Sequence, residues 1–261
     1  MCLPRYGDLP SDDPFFSPED YAVFELEKAS SSAYDGERQR IRDKFLALHD
    51  VLYPETRQRG WDLHPHWHAP NIVSTWYIGR IQKMQFMKLR YLRSKDDVSK
   101  VEQMMGLPRP LDYAETQYVK HPMLDIRIDS RYLAVELLVT DQAWWDAQNF
   151  KRKVVRQASA RRELINLLHE LGSDYIFGGW PDTKDPELIT TAADLAHEDQ
   201  LLAWLSGFEP GYDWLRVGVW YSDSTDRRLT TKRFAGEIIA CFARLHPLYE
   251  FLLWRADNDF R

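Results

Sequence analysis

The stretch Met123-Leu124-Asp125-Ile126-Arg127-Ile128-Asp129-Ser130-Arg131-Tyr132-Leu133-Ala134-Val135-Glu136-Leu137-Leu138-Val139 decides the class of fold. Two runs rich in branched aliphatic residues, 123–128 and 131–139, flank Asp129-Ser130, a connection short enough for a hairpin although it lacks the usual glycine. Working outward, residues 61–92 also alternate with period two, and the spacing predicts three strands at 61–68, 71–79 and 85–92, punctuated by Pro70 and Gly79. Trp214–Tyr221 reads as a further strand, and Tyr175-Ile176-Phe177 as a short one.

Helical spacing occupies much of the rest. Ser17-Pro18-Glu19-Asp20 reads as a capped helix start, and Ile41, Phe45, Leu48 and Leu52 mark a second helix that Pro54 is expected to stop. Ser94–Gly106, a helix through Trp144, Trp145 and Phe150, another carrying Leu164, Ile165, Leu168 and Leu171, and a short one around Gln200–Leu205 follow. Thr231–Trp254 closes the series, with Pro247 expected to kink or split it. Residues 178–196 read as a long loop, a lid or an excursion. Strands that cluster in hairpins instead of alternating singly with helices indicate an α+β fold, a mainly antiparallel sheet or meander with helices packed on one side. The expected division is a flexible N-terminus (1–14), an N-terminal lobe (15–106), a proline-containing connector (107–122) and a C-terminal lobe (123–261), or one continuous domain.

Composition narrows the classes of function. Apolar residues at 44% and charged residues at 28% suit a folded, soluble chain of 261 residues. A formal charge of −6 gives no global attraction to nucleic acid or membrane, so such a partner needs a local basic face. The apolar runs 132–139 and 238–245 fall short of the ~20 residues a membrane span needs, which argues against a membrane partner. Cys2 and Cys241 sit at opposite ends of the chain, no apolar leader precedes Pro14, and the expected location is cytoplasmic. Ten tryptophans, against roughly three or four at average usage, suggest buried anchors, a stacking surface or contacts with a protein partner.

Two segments carry candidate chemistry. Trp61-Asp62-Leu63-His64-Pro65-His66-Trp67-His68 in a strand would set Asp62, His64, His66 and His68 on one face. Imidazoles two apart on a strand can converge on a divalent metal, with His121, Asp125 or Glu136 as a further donor, the ligand set of a metal-dependent hydrolase. The H-x-H spacing resembles half of a cupin metal motif, but the glutamate and glycine pattern that would follow is missing. Asp125 and Glu136 on one hairpin also resemble the paired carboxylates of restriction-type nucleases, yet Leu138 stands where such enzymes place a lysine. An ion pair between Glu136 and Arg127 or another cation is the simpler expectation. Elsewhere, Lys151, Arg152, Lys153, Arg156, Arg161 and Arg162 form the densest basic run, beside Trp144 and Trp145. That combination suits a binding protein for nucleic acid or a phosphorylated ligand, basic side chains following phosphates while an aromatic stacks. A phosphate-cradling glycine loop, a nucleophile elbow and a C-x-x-C pair are all missing, so the sequence offers no complete catalytic motif.

Overall fold

The computed structural model of the protein describes residues 6–8, 12–65, 72–78, 83–107, 118–181, 188–222 and 224–260. Within them the fold is α+β, built on a seven-stranded antiparallel sheet. In chain order the elements are α1 (Pro18–Ala22), α2 (Asp35–Gln58), β1 (Val73–Ile78), β2 (Lys83–Tyr91), α3 (Lys95–Met104), β3 (Met123–Asp129) and β4 (Leu133–Val139). There follow α4 (Trp144–Arg156), α5 (Ala158–Leu171), β5 (Ile176–Pro181), β6 (Leu188–Thr191), α6 (Ala192–Leu195), α7 (Glu198–Gly207), β7 (Asp213–Tyr221) and α8 (Thr231–Leu252). The strand order is β1-β2-β3-β4-β7-β5-β6.

The β3–β4 hairpin forms where its apolar runs predict it, and a side chain does the work of the absent glycine. Asp129 Oδ1 accepts the N–H groups of Arg131 at 2.8 Å and Tyr132 at 2.9 Å, so the carboxylate closes the turn that backbone freedom would otherwise have to supply. Every residue of β4 is buried, which means that both faces of this strand are covered. β1 and β2 pair antiparallel from Val73–Leu89 to Ile78–Lys83, close to the expected spans.

Several expectations change. Residues 61–65 form no continuous strand: His64 makes a single bridge, and 66–70 lie outside the described residues. Pro54 does not stop α2, which continues to Gln58 and ends at Gly60, whose φ of 72° is open to glycine without strain. One missing N–H is tolerated because α2 buries Ile41, Phe45, Leu48 and Leu52, a larger stabilising term than a single hydrogen bond. Likewise α8 runs through Pro247. The stretch read as a long loop instead holds a hairpin, with Ile176 opposite Thr191 and Gly179 opposite Leu188, while 182–187 lie outside the described residues.

The chain gathers into two units, residues 1–91, 125–135 and 220–242 in the first and 92–124, 136–219 and 243–261 in the second. In the first, Phe15 stacks on Phe234 with centroids 4.4 Å apart and Phe16 packs on Phe45 at 5.1 Å. Tyr6, inside the stretch read as a flexible terminus, donates its hydroxyl to Thr231 O at 2.5 Å. In the second, Leu92, Val98, Tyr118, Met123 and Leu138 form one buried cluster, and Val101, Trp145 and Trp254 another. Of the expected connector, 118–120 form a short turn and 108–117 lie outside the described residues.

Candidate ligand-binding site

Helix α4 presents two stripes of opposite purpose. Its inward polar stripe holds residues 251–260: Asp146 Oδ1 accepts Trp254 N–H at 2.6 Å, Asn149 Oδ1 accepts Phe260 N–H at 2.7 Å, and Lys153 donates to Phe251 O at 2.5 Å. Three of the six candidate basic residues are therefore employed inside the fold. Lys153 is buried, Lys151 donates to Phe208 O at 2.5 Å, and Arg161 pairs with Glu198 at 2.7 Å while also bonding the carbonyls of Val154 and Val155. Arg152 is half-buried, and Arg156 and Arg162 are exposed. The tryptophans differ in burial: Trp145 is buried 6.0 Å from Trp254, and Trp144, in edge contact with Trp145 at 5.3 Å, stays partly exposed.

The Lys153 ammonium lies 3.6 Å from the centroid of the Phe251 ring, and burial pushes its pKa down from 10.5 to about 8. Its folded-state pKa thus lies below its unfolded value, and between these limits the unfolded chain holds the additional proton. Stability should therefore gain a contribution as pH rises from about 8 to 10.5, and Lys153→Met should lose that rise. Chemical denaturation of both proteins across this window checks it, and parallel profiles would rule the assignment out.

The histidine candidates separate differently. His64 Nε2 lies 2.9 Å from Asp62 Oδ1 and 3.3 Å from Arg57 Nη1, and Nδ1 lies 3.1 Å from the Tyr53 hydroxyl. Both ring nitrogens are engaged, with a cation beside one of them. His66 and His68 lie outside the described residues.

The other proposed donors are engaged as well. Asp125, fully buried, lies 2.9 Å from Lys88 Nζ and 3.6 Å from Arg90 Nε. Lys88 and Arg90 are two apart on β2 and so share one face of the strand. Glu136, also fully buried, is held by Arg216 of β7, whose Nε lies 3.0 Å and Nη2 2.6 Å from Oε2. Arg127, the partner named from sequence, engages Asp129. His121 is buried 3.6 Å from Glu102, and desolvation is the main cause that moves its pKa down and favours the neutral ring. Among the described residues no three His, Cys, Asp or Glu side chains gather as a metal-holding group, and no helix is long and apolar enough to cross a membrane. Comparison with protein-family models and with curated proteins returns no match for this chain.

Proposed function

We propose that the chain binds a phosphate-bearing ligand, nucleic acid in single-stranded form, along the outward stripe of α4. One observation carries this reading: Trp144, Gln148, Arg152 and Arg156 follow one another at intervals of four, on the side of the helix away from its buried residues. Neighbours four apart share a face and advance about 6 Å along the axis, so an aromatic platform, an amide and two guanidinium groups form a row that winds about 40° around the helix at each step. Among the described residues Arg156 makes a long 3.4 Å contact with Phe260 O, which an incoming phosphate can replace with a shorter charge-assisted bond. Trp144, 37% exposed, offers a stacking face.

Fluorescence anisotropy with a labelled single-stranded oligonucleotide tests this. Affinity should fall as salt rises, and Arg152→Glu with Arg156→Glu should weaken binding at least tenfold, with the log–log salt slope smaller by about 1.4. Stability should change by less than about 0.5 kcal/mol for the substitution at exposed Arg156. Equal affinity in wild type and double variant, or no binding at low salt, would refute the proposal.

A further inference from the structure

Tyr53 and Arg57 stand one turn apart on α2, and the chain returns past them at Asp62 and His64. The three groups Asp62, His64 and Tyr53 make one file of hydrogen bonds, carboxylate to imidazole at 2.9 Å and imidazole to phenol at 3.1 Å. An ionised carboxylate has no proton to give, so His64 carries its ring hydrogen on Nε2 and turns the Nδ1 lone pair toward the Tyr53 hydroxyl. A base within reach of a hydroxyl, itself oriented by an acid, is the arrangement by which hydroxyl nucleophiles are activated.

The surroundings suit that role. The Tyr53 ring is stacked on His49 at 5.3 Å and lies nearly parallel to Tyr91 at 6.4 Å, which restricts where the hydroxyl can point. The file is not sealed in the interior: the side chains of His64 and Asp62 are 25% and 37% exposed, and Arg57 is exposed. Arg57, exposed and one turn from Tyr53 on α2, holds Nη1 3.3 Å from His64 Nε2, so a long, charged side chain borders the Tyr53–His64 pair and can reach the charge of an anionic substrate held there.

We propose that Tyr53 is a nucleophile toward phosphate esters, with His64 as its base, Asp62 as the positioning residue for His64, and Arg57 as the cation that receives the substrate's charge. The Tyr53 oxygen attacks phosphorus, forming an Oη–P bond as the bond from phosphorus to the leaving alcohol oxygen breaks. The phenolic proton passes to His64 Nδ1, and the departing oxygen, in line on the far side of phosphorus, takes its proton from solvent water. The products are a tyrosyl phosphate ester and a free alcohol. Solvent water then attacks phosphorus opposite the Oη–P bond, and protonated His64 Nδ1 returns its proton to the departing Tyr53 oxygen, which regenerates Tyr53 and releases the phosphoryl group on the water oxygen. The proposal stands on these four residues and does not depend on the α4 reading.

The test incubates the purified full chain with p-nitrophenyl phosphate and with bis(p-nitrophenyl) phosphate, following nitrophenolate release together with intact mass. The expected result is a burst of up to one equivalent and a phosphoryl adduct that peptide mapping places on Tyr53. Tyr53→Phe should abolish both, and His64→Ala should slow the burst by ~10²-fold or more. Asp62→Asn should slow it and alter its pH profile, with Asp62→Glu restoring it, a rescue that a merely structural role does not give. Mapping in the wild-type protein stands even where a variant fails to fold. No release above buffer, an adduct on another residue, or a burst retained in Tyr53→Phe would overturn the proposal.

Discussion

Asp146→Ala is expected to lower stability by ~3–5 kcal/mol, among the largest single effects in this protein. Asp146 is fully buried on α4, and one of its oxygens receives both the Arg93 guanidinium and the Trp254 backbone N–H. Arg93 is itself buried and also donates to Trp254 O at 3.4 Å. Removing the carboxylate leaves a desolvated cation and a desolvated N–H facing a void. Both penalties exceed the modest net value of the bonds while they are intact. Urea denaturation of wild type, Asp146→Ala and the pair Arg93→Met with Asp146→Leu separates the terms. The paired replacement should recover most of the loss, because it removes both buried charges instead of one. A loss below about 1 kcal/mol in Asp146→Ala would show that the cluster is not desolvated as described.

Arg216→Met is expected to cost about 3 kcal/mol for the same reason in opposite sign. The Glu136 carboxylate is 1% exposed and takes the Arg216 fork through both oxygens, with Nη2 at 2.5 Å from Oε1 and 2.6 Å from Oε2. Methionine preserves most of the stem's packing, so the lost stability reports chiefly on charge and directed hydrogen bonds. Adding Glu136→Gln to Arg216→Met should restore part of it, since a neutral amide is less costly to bury than a carboxylate. The two single changes should therefore not add. Additive losses in a double-mutant cycle would mean that Glu136 and Arg216 do not support each other.

These two ion pairs also show where sequence reading ran out. That Glu136 must find a cation followed from its apolar neighbours alone, and it has one. Which cation depended on the strand order, because β7, 80 residues further along, lies beside β4. Arg127 is the expected partner because it lies on the adjacent strand of the hairpin, whereas its guanidinium meets Asp129 on its own strand. The basic run fared similarly. Its charges are countable from sequence, but Lys151, Lys153 and Arg161 are occupied by Phe208 O, Phe251 O and Glu198, groups 37–98 residues away. The outward stripe through Trp144, Arg152 and Arg156 follows from helical spacing once the buried side is known. The bond from His64 to Asp62 joins residues two apart, whereas the hydroxyl partner Tyr53 comes from α2, 11 residues earlier.

What the sequence determined by itself is the class of fold and the short-range structure: the β3–β4 hairpin, the Ser94 cap that receives the Asp97 N–H at 3.3 Å, and the glycine ends of α3 and α5. Such features depend on interactions within about four residues, where spacing and side-chain type are sufficient. Only the tertiary structure decided that α2 and α8 pass through Pro54 and Pro247, that β7 lies between β4 and β5, and which buried charges meet. Each of those outcomes is set by burial summed over distant contacts, a larger free energy than the local preference it overrides.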